Sequence, residues 1–585
     1  MNSNLQTTAA DILVAIEPWG NELWFLLGGG LIFLLSLLAF TCQYPVHERF
    51  PDRPVAFFDR LNSDPVFIGL CLFTILLLRL PGVSRLELAY GDEGGLIAGA
   101  LTLLQDPRFW LSVDNTTIGP VSTFSLTLID LVGGTINYGT IKLLGIFVWM
   151  LSAFLLFRGL VNLYGSQLAR LAVLPLVACV ATFNMWDYVA FNGEHIPVLL
   201  LALSIWSFSR MERTEGRSAV MFAVLTGFVL GLIPFSKVQA GPIAVAFGVM
   251  LVLYSWFRGN RHALALILGG LLPPLFIIGY LLLSGAFEDF WQSYILNNLV
   301  YASEGFFGQK KDFTVLENAL GFPAYLLKLP DTRYYFISHF AIIIAGSLVL
   351  LTKSRSCDRQ TAVVVPIAWV VVLASIYCIL LPKNNWTHYL LLLLAPLTLL
   401  YGGVLGGLKN LASKRQQALP GAAGMTIVAV LLLVSVLLPS LYVLLNKNIA
   451  FEAAMQNSVE GRYYSDVAKE IFKYAERGER IAVWGFAYYY EETGMAQGTR
   501  EAHTERQMTP GMQQPYYLDR WMRDLERTRP PILLESFPKQ HLDHQMIFYP
   551  EVKELVDATY RQTADIDGVK VYVLKERLQA LGVAP

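Results

Sequence analysis

The chain has 585 residues, of which 55% are hydrophobic and only 15% charged, and its formal net charge is −1. Soluble domains carry about 25% charged residues, so this composition excludes an ordinary water-soluble enzyme and requires that much of the chain be solvated by lipid. Near-neutral charge offers no footprint for a nucleic-acid partner. The five cysteines are scattered in or beside apolar runs, with neither metal-ligand spacing nor a disulfide framework.

The opening segment, MNSNLQTTAADILVAIEPWG, lacks the basic region of a signal peptide, so the first apolar run is expected to stay as an anchor. A bilayer core needs about 20 apolar residues in a helix. In chain order the runs that meet or approach this are Leu23–Thr41, Pro65–Leu80, Ile141–Leu160, Ala169–Phe183, Ile196–Phe208 and Ala219–Phe235. Ala240–Phe257, Ala263–Leu283, Phe340–Leu351, Ala362–Leu381, Tyr389–Leu408 and Met425–Leu445 follow. Together they predict about twelve spans. Pro120–Val132 is apolar but too short, and reads as a juxtamembrane helix lying on or re-entering the surface.

Cytoplasmic loops carry an excess of Lys and Arg. Arg158 and Arg170 flank one loop; Arg210, Arg213 and Arg217 fill a second, and Arg258 and Arg261 a third. Lys353, Arg355 and Arg359 lie in a fourth, and Lys409, Lys414 and Arg415 in a fifth. These loops alternate with another set if Pro120–Val132 does not cross. All five then face the cytoplasm, which puts the large loops 82–139 and 285–333 and everything after Leu445 on the outer face. The tail, 446–585, is charged and punctuated by Gly and Pro. Within it RIAVWG and VKVYVLK read as strands and YSDVAKEIFKYAERG as a helix, predicting a small α/β domain after a membrane domain of residues 1–445.

Ionisable residues collect at the outer ends of the spans. Asp92 and Glu93 stand in AYGDEGGLIAGALTLLQD, Glu194 and His195 in FNGEHIP, Lys237 and Gln239 in FSKVQAGP, and Lys383, His388 and Tyr389 in LPKNNWTHYLL. Each has a bland alternative. Asp92 and Glu93 suit a helix cap or first turn, the lysines suit snorkelling, and His388 with Tyr389 suits an interfacial belt. Gathered on one face they suit a reaction. A carboxylate takes the proton of an attacking hydroxyl, while lysines and a histidine hold a phosphate leaving group as its charge develops. A phosphate at the outer surface of a lipid-embedded site implies a polyprenyl-phosphate donor. Such cations can neutralise a single phosphate, so a divalent metal is optional, and no Asp, Glu or His cluster is tight enough to name a metal site. The triplets NTT at Asn115 and NWT at Asn385 match glycosylation acceptors, as short patterns do by chance.

On YGDEGG, FNGEH, GLIPFSKVQ, NNWTHYLLLLLAP and the tail's RIAVWGFAYYYEETGMAQGTRE, the chain resembles the GT-C class of membrane glycosyltransferases. The likeness is to the branch of the protein O-mannosyltransferases and the lipid A aminoarabinose transferases. It extends over nearly the whole chain, with Leu23–Thr41 standing as an extra span before the family's usual first. The resemblance implies an inverting enzyme in which Asp92 is the general base, Glu93 its neighbour in an Asp-Glu pair, and Lys237, Lys383 and His388 the donor-phosphate pocket. No cofactor is required by it.

The expectation is therefore a polytopic α-helical, GT-C-like membrane protein with a C-terminal soluble α/β domain on the outer face. It would pass a sugar from a polyprenyl-phosphate donor to a hydroxyl of a glycolipid, polysaccharide or protein, from a bacterial inner membrane with its tail in the periplasm. A flippase or transporter of lipid-linked sugars is the rival class, and transporters place charge near the bilayer midplane, often on inverted repeats. A ligase moving whole glycans is the rival among enzymes. A sugar-binding sensor would not need so many spans.

Overall fold

Each of the twelve apolar runs folds as a helix in the computed structural model. It describes residues 20–42, 62–84, 91–183, 185–258, 262–304, 314–329, 332–353, 357–414, 420–446, 464–537 and 543–583. The opening 19 residues, Ala89, Tyr90, Arg261, Arg355 and Arg415 lie outside the described residues. Among the described residues ten helices are long and apolar enough to cross a membrane, and the protein is a multi-pass membrane protein. Two of the expected spans fall short of that measure: Ser166–Thr182 has 17 residues, and His195–Arg213 is interrupted by serines and ends in two arginines. Pro120–Leu131 is a 12-residue helix, as expected.

The bundle is layered around one helix. Residues 388–407 of the stretch Thr387–Ala412 are buried throughout, whereas outer helices expose large side chains such as Phe276 and Leu283, as lipid-facing surfaces do. Gly216–Leu232 and His262–Ser284 approach backbone to backbone. A methyl group on Gly227 would lie 2.0 Å from the Leu266 carbonyl oxygen, and one on Gly269 2.2 Å from that of Val224. Small residues permit this contact where no hydrophobic drive separates helix from lipid. Arg170, counted above as a loop cation, is instead buried against Asp64 at 2.8 Å.

The tail carries a five-stranded sheet: β1 (Arg480–Gly485), β2 (Ala496–Gln497), β3 (Ile532–Ser536), β4 (Tyr560–Ile566) and β5 (Val569–Leu574), in the order β2-β1-β3-β5-β4. β1 runs parallel to β2 and β3, and β5 antiparallel to β3 and β4. Side chains alternate between two apolar layers. Ile481 and Val483 of β1 enter one with Leu534 and Val573, and Ala482 and Trp484 enter the other with Trp521 and Tyr572. The expected helix in YSDVAKEIFKYAERG is short, Asp466–Ile471, capped by the Ser465 hydroxyl.

The sheet does not hang free of the membrane part. Ala98 of the helix Gly91–Gln105 belongs to the first apolar layer, and the Thr102 hydroxyl accepts from the Gln497 backbone N–H at 2.9 Å. A largely buried ion network ties the tail to Asp114 and Asp289 of the membrane part. Arg520 pairs with Asp114 at 2.5 Å and with Glu501, while Arg500 reaches Asp289 at 2.5 Å and Asp524 at 3.1 Å. The helix Gly91–Gln105 is thus clamped between sheet and bundle.

Candidate functional site

A cavity of about 280 Å³ opens where the two parts meet. From the membrane side it is lined by the first turn of Gly91–Gln105, by Asn115–Ile118, by Asp187 and Lys237, and by Tyr301 and Trp386–Tyr389; from the tail come residues between Gly485 and Phe537. The lining is held by local pairing. Ile118 bridges to Lys237 as a short antiparallel contact, and the Val238 N–H donates to the Thr117 carbonyl at 3.2 Å. Asn115, buried and donating to the Thr123 hydroxyl at 3.0 Å, is part of this wall. It is not an accessible glycosylation acceptor.

Asp92 lies within the first turn of its helix, is exposed, and lines the cavity. Among the described residues it accepts no hydrogen bond, so it does not cap the helix. Glu93 lies elsewhere. It is 1% exposed, accepts the Phe191 backbone N–H at 2.6 Å and faces Lys142 at 3.6 Å. Burial pushes its carboxyl up from the ordinary range, against the pull of Lys142 and the Phe191 N–H. The second membrane-side carboxylate in the cavity is Asp187, which faces His388 Nδ1 at 3.7 Å.

The remaining expected residues divide in the same way. Lys237 lines the cavity, pairs with Glu194 and sits 5.1 Å above the Tyr389 ring. Glu194 is wholly buried behind it, and its Oε2 has no hydrogen-bond partner among the described residues. His388 and Tyr389 line the cavity. His195 does not: its Nε2 accepts the Trp149 indole N–H at 3.0 Å and its ring stacks on Phe191. Gln239 donates to the Cys378 carbonyl at 2.7 Å, at the end of the helix Arg359–Leu380, where free carbonyls need partners. Lys383 occupies the left-handed region, φ 57°, in the tight turn before Thr387, and is not part of the cavity lining.

Sequence reasoning missed Asp187, Tyr301 and the tail's His503, Glu505 and Arg506, all of which line the cavity. The signal for the last three was AHTER, immediately after the tail motif. Among the described residues no three His, Cys, Asp or Glu side chains gather closely enough to hold a metal ion.

The first of the two glycines after Glu93 has a physical cause. A methyl group on Gly94 would lie 2.4 Å from the Ala487 carbonyl oxygen and 3.2 Å from the Tyr138 hydroxyl, and one on Gly95 3.6 Å from His503. Bare backbone lets the tail close over Asp92. Gly94→Ala is therefore expected to destabilise the protein by about 1–3 kcal/mol, the usual cost of overpacking. It should also lower activity, although no side chain that meets substrate is removed. Thermal unfolding of the purified protein checks the first effect; an unchanged midpoint would mean that the tail does not rest on this turn.

No family model matches this chain, and no curated protein matches it. Solved structures do. ArnT from Cupriavidus metallidurans bound to undecaprenyl phosphate aligns over 89% of this chain and 100% of its own, with 14% identity and a TM-score of 0.52. The apo state of the same protein aligns over 89% and 99%, with 15% identity and a TM-score of 0.46. The oligosaccharyltransferase AglB from Archaeoglobus fulgidus, in complex with an inhibitory peptide and a dolichol-phosphate, aligns over 80% and 69%, with 11% identity and a TM-score of 0.39. The first of these likenesses shows the fold: a GT-C-type helical membrane architecture with a small C-terminal sheet.

Proposed function

We propose that the protein transfers a sugar from a polyprenyl-phosphate-linked donor to an acceptor hydroxyl at the outer face of a bacterial inner membrane. In this reading residues 1–445 form the membrane domain and 446–585 a periplasmic unit that closes the cavity. The observation that carries it is one cavity holding an exposed carboxylate, Asp92, with no partner among the described residues, together with Lys237 and His388. The shared fold with a protein whose crystal structure holds undecaprenyl phosphate supports the donor class.

The acceptor oxygen attacks the anomeric carbon, and the bond from that carbon to the phosphate oxygen breaks. The hydroxyl proton goes to Asp92 and the electron pair leaves with the polyprenyl phosphate. Lys237 and His388 face the phosphate charge as it develops, an arrangement worth most in a water-poor site. Glu93 and Glu194 act behind the lining: the first holds the Phe191 backbone, the second holds Lys237 in place. The reading calls for no cofactor, and the acceptor is a glycolipid, polysaccharide or protein.

The test is release of free polyprenyl phosphate when purified protein meets a radiolabelled polyprenyl-phosphate sugar and an envelope extract, with label appearing in an acceptor. A transporter moves the donor across vesicles intact. Label that crosses without any phosphate release sinks the transferase reading.

A further inference from the structure

We propose that the C-terminal unit supplies one of the cations that hold the donor's phosphate: the guanidinium of Arg506, which stands in one wall with Lys237. This rests on the transferase reading above. Arg506 comes from the short helix Glu505–Met508 and lines the same cavity as Asp92 and Lys237. Each of the two cations is seated over an aromatic ring of the lining. The Arg506 guanidinium lies 5.0 Å over the Tyr301 ring, Tyr301 and Tyr389 both line the cavity, and the Tyr389 ring carries Lys237 at 5.1 Å.

Charge accounting makes Arg506 the cation with work left to do. Lys237 is already neutralised by Glu194, and His388 faces Asp187. Arg506 is only 6% exposed, yet its ion pair with Glu505 is long, 3.7 Å, and its Nε has no hydrogen-bond partner among the described residues. The Glu505 Oε1 on the other side of that pair also lacks a hydrogen bond. A buried guanidinium with its donors unused is costly. Its planar fork fits two oxygens of a phosphate. A phosphate monoester in the cavity would complete it.

The experiment uses the full chain in detergent, with undecaprenyl phosphate and uncharged undecaprenol as probes and native mass spectrometry as the binding readout. Wild type should prefer the phosphate. Arg506→Gln should bind undecaprenyl phosphate about ten- to hundredfold more weakly, the size of a charge-assisted hydrogen bond lost, with undecaprenol unaffected and Arg506→Lys in between. Glu505→Gln removes the competing carboxylate and should bind the phosphate several-fold more tightly; it decides the matter should Arg506→Gln not fold. Equal affinity in wild type and Arg506→Gln, or no gain in Glu505→Gln, overturns the assignment of Arg506 alone. A wild type that does not distinguish the phosphate from the alcohol overturns the donor class and this inference with it.

Discussion

Asp92→Asn is expected to leave a folded protein whose sugar transfer falls by about 10²–10⁴-fold, the usual worth of general-base assistance. The fold should survive because the Asp92 side chain is exposed and accepts no hydrogen bond among the described residues. The amide keeps the size and loses only the proton acceptor. Two companion variants give the result its meaning. Asp187→Asn alters the other membrane-side carboxylate of the cavity and weakens the hold on His388, so its loss should appear chiefly in donor binding. Glu93→Gln should act on stability instead. The amide oxygen can still accept the Phe191 N–H, but the negative charge opposite Lys142 is gone, and breaking a buried pair costs about 3–5 kcal/mol. Transfer from a defined polyprenyl-phosphate sugar, measured beside the thermal midpoint of each variant, separates these outcomes. If Asp92→Asn turns over at the wild-type rate while Asp187→Asn is inactive, the base has been assigned to the wrong carboxylate.

The contrast between Glu93, expected beside Asp92, and Asp187, which lines the cavity in its stead, shows what a sequence exposes and what it hides. Long apolar runs announce helices because burial and lipid both reward them, and every run became one. RIAVWG and VKVYVL announced strands because a sheet covered on both faces needs such residues. Adjacency, however, misleads on a helix. With 3.6 residues per turn, neighbours point about 100° apart, so Asp92 and Glu93 cannot share a face: one meets the cavity and the other the bundle. The same geometry parts Glu194 from His195. The resemblance implies Lys383 in the phosphate pocket, but it stands in a left-handed turn outside the cavity lining. Arg506 and Tyr301 escaped because both lie far from Asp92 along the chain. Arg506 joins the cavity only through the docking of a tail some 400 residues on, and the trace of that docking in sequence is the first glycine of DEGG, Gly94.

Lys237→Ala is expected to have the second large effect, and a simple loss of activity would not reveal its cause. Lys237 is 3% exposed and its partner Glu194 wholly buried. Removing the cation strands a carboxylate whose Oε2 already lacks a hydrogen-bond partner among the described residues, a defect of about 3–5 kcal/mol. A double variant, Lys237→Met with Glu194→Gln, takes both charges out together, and apolar or neutral replacement of a buried pair is often close to neutral for stability. That protein should unfold near the wild-type midpoint and still transfer sugar about 10²–10³-fold more slowly, because one electrostatic contact to the leaving phosphate is missing. Glu194→Gln alone keeps the lysine and removes its counter-charge. The donor phosphate then becomes the missing anion, so undecaprenyl phosphate should raise the thermal midpoint of this variant more than that of wild type, as any ligand that binds the folded state selectively does. A double variant with full activity would leave Lys237 as half of a structural ion pair, with the phosphate held by other groups.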